Sequence, residues 1–98
     1  MFSITEYTVE RVKDPFGILA GSRYEFILEL EVDEEDELYS ENGLNLRVVY
    51  RVEEARQGVA KYEFLDRSTN HYIDFELEED EAALVESFCR EHYIEGDE

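Results

Sequence analysis

Apolar and polar residues alternate with a period of two along most of this chain, and the period changes to a helical one near residue 78. The clearest run is Arg23–Asp33. Tyr24, Phe26, Leu28, Leu30 and Val32 share one face of it, and Glu25, Glu29, Glu31 and Asp33 share the other, with Ile27 the single apolar exception. Such alternation marks a strand with one face on a core and one toward water. Its length places it centrally in a sheet. Strands are predicted over residues 4–12, 23–33, 44–53, 59–66 and 71–77.

The first strand points Thr5, Tyr7 and Val9 inward and Glu6, Thr8 and Glu10 outward, with Ile4 and Val12 out of phase, which predicts a bulge or a twisted edge strand. The third points Leu44, Leu46, Val48, Tyr50 and Val52 inward and Asn45, Arg47, Val49 and Arg51 outward. Matching charges between the second and third strands predicts a register with Val32 opposite Leu44. Glu29 then faces Arg47, Ile27 faces Val49 and Glu25 faces Arg51. Cross-strand pairs of this kind contribute roughly 0.2–1 kcal/mol each. The fourth strand turns Ala60, Tyr62 and Phe64 inward, and the fifth Ile73, Phe75 and Leu77. With Asp66 opposite His71, Phe64 meets Ile73 and Tyr62 meets Phe75 on the core side. Leu65 meets Tyr72 and Lys61 meets Glu76 outside.

A helix is predicted over about residues 79–93. Glu78–Glu81 places four acids where the positive end of the helix dipole favours them. Ala82, Val85, Cys89 and His92 form a stripe flanked by Leu84 and Phe88. Asp14-Pro15-Phe16-Gly17 reads as a type I turn, with Phe16, Ile18 and Leu19 folding over an end of the core. Asn42-Gly43 marks another turn, with Leu38 and Tyr39 anchoring the acidic loop before it. The fold class expected is α+β: a single domain over 1–98, a five-stranded antiparallel β-meander with one C-terminal helix packed on one face.

Composition narrows the function. The 98 residues hold 27 Asp and Glu against nine Lys and Arg, for a formal net charge of −18. That field repels phosphate backbones and anionic membranes, so neither nucleic acid nor a membrane is expected as a partner; basic proteins and cations are attracted. No apolar run approaches the ~20 residues of a membrane span. The opening MFSITEYTVE lacks the basic start and apolar run of a signal peptide, and a cytoplasmic location is expected. The single cysteine excludes an internal disulfide and a multi-cysteine zinc site.

No catalytic residue, cofactor or metal ligand is assigned. Cys89 and His92 lie one helical turn apart, but a cysteine on an apolar stripe among acids has a raised thiol pKa and reads as structural. Asp66, Ser68 and His71 are neighbours in sequence with nothing to fix them as a triad. The run Asp33–Glu37 is rich in oxygens yet lacks the glycine spacing of an EF-hand loop. The outer sheet face is more informative. Ile27, Val49, Leu65 and Tyr72 form a discontinuous apolar strip there, edged by Arg47 and Arg51 together with Glu25, Glu29 and Lys61. An apolar centre with a charged rim suits an interface with a protein partner or within a homodimer.

The stretches DPFGILAGSRYEF, EEDELYSENGLNLRVVY and FCREH resemble a small family of uncharacterised proteins of Gram-positive, spore-forming bacteria, often carried under the label "pullulanase". The resemblance spans nearly the whole chain and implies a compact bacterial domain. It brings no motif for the labelled activity, which needs two positioned carboxylates beside a substrate cleft. The function expected is a non-enzymatic protein-binding or regulatory module. The alternatives are an acidic decoy that imitates a nucleic-acid backbone through Asp33–Glu37 and Asp74–Glu81, and a carbohydrate-related role.

Overall fold

A computed structural model describes residues 2–13, 21–36, 39, 41 and 43–97. Strands β1 (Ser3–Arg11), β2 (Ser22–Glu31), β3 (Leu44–Val52), β4 (Gln57–Asp66) and β5 (Tyr72–Ile73) form one sheet in chain order. All neighbours are antiparallel. Helix α1 (Glu79–His92) follows and ends in a 3₁₀ turn, Tyr93–Asp97. This is the α+β meander with a C-terminal helix that the alternation predicts.

The core lies between the sheet and α1. Phe26, Leu28, Leu46, Val48, Tyr50 and Phe64 are fully buried on the strands, and Val85 and Cys89 meet them from the helix. Each large apolar side chain so buried contributes about 1.5–3 kcal/mol. Aromatic rings extend this layer: Phe26 stands edge-on to Tyr50 and Phe88, and Tyr93 packs on Tyr24 and Tyr50.

Register departs from expectation by two residues between β2 and β3. Leu30 opposes Leu44, so Ile27 faces Arg47, Glu25 faces Val49 and Glu29 faces Asn45. A slip of two keeps every side chain on its assigned face. Inside, Leu28 then meets Leu46, Phe26 meets Val48 and Tyr24 meets Tyr50, and outside Arg47 keeps acidic partners in Glu25 and Glu63. Arg67 also fastens the strand ends, donating from Nη2 to the carbonyls of Leu30 and Leu44 at 3.1 Å each.

Two bulges account for the phase errors. In β1 the register shifts between Ile4 and Glu6, so Ile4 packs on the core and Thr5 is exposed rather than inward. The Thr5 hydroxyl donates to the Glu29 carbonyl at 3.2 Å. In β4 the partner of Val49 is Lys61 and that of Tyr50 is Val59, so Ala60 is the extra residue. Ala60 is exposed, and Val59 takes the inward place assigned to it.

The β4–β5 hairpin has the expected register, with Phe64 opposite Ile73 and Leu65 opposite Tyr72, but β5 is two residues rather than seven. The Phe75 amide turns back to the Ile73 carbonyl at 2.9 Å, and the Leu77 amide donates to the Tyr62 hydroxyl at 2.9 Å. The chain thereby leaves the sheet edge to start α1 above the core, and Phe75 is exposed.

Helix α1 starts with a capping box: the Glu81 carboxylate accepts from the Glu78 amide at 3.0 Å. That reach buries Glu81, whereas Ala82 and Leu84 of the predicted stripe and flank are exposed. Gly43 adopts a positive φ of 87°, as the turn there requires, and Tyr39 is exposed rather than tucked in. The turn expected at Asp14–Gly17, the apolar residues Ile18 and Leu19, and Leu38 and Asn42 lie outside the described residues.

Candidate functional site

Helix α1 covers one face of the sheet, and among the described residues no helix covers the other, the open face. Along β2, β3 and β4 that open face carries Arg23, Glu25, Ile27, Glu29 and Glu31, then Asn45, Arg47, Val49 and Arg51, then Lys61, Glu63 and Leu65. These three strands carry four basic residues and four acids there, and β1 adds Glu6 and Glu10 beside Glu29 and Glu25 on the same face.

Arg47 organises the centre. Its Nη2 and Nε donate to Glu25 Oε2 at 2.8 and 3.1 Å, and its Nη1 donates to Glu63 Oε1 at 2.9 Å. Hydrogen bonds first to Glu25 and then to Glu63 hold the guanidinium pKa above its ordinary value. The arginine thus ties β2, β3 and β4 together across their outer surface.

Toward the start of β2 the balance changes. Arg23 and Arg51 are direct cross-strand neighbours. Arg23 Nη2 and Arg51 Nε each lie 3.4 Å from Glu53 Oε2, and Arg56 Nε lies 3.8 Å from the same oxygen. Three guanidiniums converge on one carboxylate. Beside them is a shallow depression of about 360 Å³, floored by Val12, Val49 and Ala60 and rimmed by Arg23, Arg47 and Lys61, with Glu25 alongside.

The residues assigned from sequence distribute unevenly over this face. Ile27, Val49, Leu65, Tyr72, Arg47 and Arg51 all lie on it. They do not form one strip. Ile27 faces Arg47 rather than Val49, and Asn45 stands between Glu29 and Leu65. Leu65 and Tyr72 form a separate pair at the β5 edge, where Tyr72 is 61% exposed. Val12, Arg23 and Ala60 are lining residues that the alternation misses. The hidden bulge put Ala60 on the wrong face, and Val12 had registered only as out of phase.

Chemistry-bearing side chains elsewhere are held structurally. Tyr7 on β1 donates its hydroxyl to Glu95 at 2.7 and 2.9 Å, and His92 Nδ1 lies 2.5 Å from Glu95 Oε2. His92 also packs against Phe88, with ring centroids 4.4 Å apart. The Tyr7 bond and then the His92 bond lower the Glu95 carboxyl pKa, and the Glu95 bond chiefly raises that of Tyr7. The cluster latches the 3₁₀ turn to β1. Burial and then the Glu86 charge push the Cys89 thiol up to about 12, which removes it as a nucleophile at neutral pH. Asp66 and Ser68 do meet, but as a turn: Asp66 Oδ1 accepts from the Ser68 amide and hydroxyl at 2.9 and 2.8 Å.

The model of a family of unknown function, DUF6509, matches residues 2–96. The chain belongs to that family. Every strand, α1 and the lining of the depression fall within the matched span, so the open face is part of the DUF6509 domain itself. No curated protein and no solved structure matches the chain. Among the described residues no helix is long and apolar enough to cross a membrane.

Proposed function

We propose that this DUF6509 chain is a non-enzymatic protein-binding module that receives its partner on the open face of the sheet. The observation that carries this reading is the depression floored by Val12, Val49 and Ala60, whose rim arginines Arg23 and Arg47 are held by Glu53 and Glu25. An apolar floor with a fixed charged rim gives a partner both a desolvated anchor point and orientation. Ile27, Arg47 and Arg51 surround this centre, and Leu65 and Tyr72 extend the surface toward β5. Action in the bacterial cytoplasm belongs to the same proposal. It rests on the family resemblance and the acidic composition. The glucan-hydrolysing label is left out of it, because Glu25 and Glu63 both serve as acceptors of Arg47 rather than as a free pair beside a cleft.

The reading is tested by capture from a bacterial lysate with tagged wild-type chain and with a Val49→Glu variant whose melting curve shows that it is folded. A protein retained by the wild type and lost from the variant is the expected result. Capture that survives Val49→Glu and Lys61→Glu alike would place the binding surface elsewhere.

A further inference from the structure

The global charge says that partners are basic; the site says otherwise. We infer that the depression at the arginine end of the open face takes an acidic protein segment in which an apolar side chain is flanked by carboxylates. This rests on the open-face reading above and names the chemistry of the occupant.

Three observations carry it. First, basic residues are scarce, nine against 27 acids, yet Arg23 and Arg51 stand directly opposite each other and Arg56 joins them. Like charges in facing positions destabilise a sheet, so this placement works against the fold rather than for it. Second, the acids in contact with the arginines are already engaged by them. Glu25 and Glu63 are engaged by Arg47, and Glu53 alone is shared by three guanidiniums, two of them half-buried with it. Around Glu53 the count is three guanidiniums to one carboxylate, in a chain of net charge −18. Third, the cations border an apolar floor made by Val12, Val49 and Ala60. Guanidinium groups bind carboxylates in paired, directional hydrogen bonds, and the floor accepts the apolar side chain between them.

Repulsion from the distant acids does not defeat this. At physiological ionic strength exposed charges are screened beyond roughly 8 Å, while groups in contact are screened much less. A basic segment would meet the opposite arrangement, with long-range attraction and cations at the point of contact. A second copy of the chain would set Arg23 and Arg51 against their own kind.

The test is selection from a random twelve-residue peptide display library on the full-length chain at physiological salt. Enriched peptides should place Asp or Glu around Leu, Ile or Phe. Their affinity should fall by roughly tenfold or more in Lys61→Glu and in Val49→Glu, as expected for reversing a rim charge or filling the anchor site. Lys61 is exposed, so its variant keeps the test valid if Val49→Glu melts early. Basic enriched peptides, or no enrichment, overturn the inference. So does a wild-type dimer in sedimentation that Val49→Glu dissociates. Peptides of another chemistry that still depend on Val49 and Lys61 overturn the occupant and leave the open-face reading standing. Peptides indifferent to both variants overturn the two together.

Discussion

Arg23 and Arg51 face each other across β2 and β3, and each lies 3.4 Å from the same oxygen of Glu53. The carboxylate is itself half-buried and also faces Arg56. It holds together a group of like charges that the sheet would otherwise separate. A Glu53→Gln chain should lose about 1–3 kcal/mol, between the ranges for breaking an exposed and a buried ion pair. The loss should be larger at 20 mM than at 500 mM salt, because salt screens the arginines from one another. Urea denaturation at the two salt concentrations reads both effects. Equal stability of variant and wild type would show that the arginines do not depend on Glu53.

The latch between β1 and the 3₁₀ turn makes stability depend on pH at two ends. Bonds from Tyr7 and His92 lower the Glu95 carboxyl from its ordinary 4.5, so the native state takes up this proton less readily than the unfolded chain. Its contribution is complete above 4.5 and is lost as pH falls through the lower, folded value. Tyr7 is raised above 10.0, so its contribution is complete below 10.0 and is lost as pH rises through the higher, folded value. Glu95→Gln should flatten the melting-temperature profile at both extremes. A profile parallel to that of the wild type would mean that the latch carries no stability.

Cys89 should be silent toward thiol reagents in the native protein. Burial and the Glu86 charge push its thiol up to about 12, and the side chain is fully enclosed. Labelling at pH 8 should occur only through unfolding and accelerate with urea. Fast labelling of folded protein would place the thiol at the surface.

Gly21 has a φ of 69°, and a methyl group there would run into the Val52 carbonyl oxygen and Glu53. Gly21→Ala should destabilise by at least about 1–3 kcal/mol, the range for a side chain forced into that backbone region. It should also weaken binding at the open face, since Glu53 and its arginines sit against the same turn. Unchanged chemical denaturation would contradict the packing described.

Strand positions and faces were legible because a period of two survives a slip of two. Leu28, Leu46 and Phe64 stay inward whatever the exact register. The register itself was not legible. Charge matching favours Glu29 opposite Arg47, yet both registers bury the same side chains, and Arg47 reaches Glu25 and Glu63 from its actual position. The β1 bulge shows in the phase of Ile4 but not in its exact place, so Thr5 reads as inward, and the β4 bulge leaves no trace, so Ala60 reads as core. Glu81 was read as one of four helix-start acids, whereas the capping box buries it. On the open face, alternation found Val49, Arg47 and Arg51. Only the fold brings Val12, Arg23 and Ala60 beside them.

The most direct measurement is a backbone amide NMR titration of labelled chain with an enriched acidic peptide, following each residue's shift. Saturable changes should concentrate on Val12, Arg23, Val49, Ala60 and Lys61 and disappear in Lys61→Glu. Changes concentrated on the acidic turn Asp33–Asp36 or on the outer surface of α1, with the open face unmoved, would contradict it.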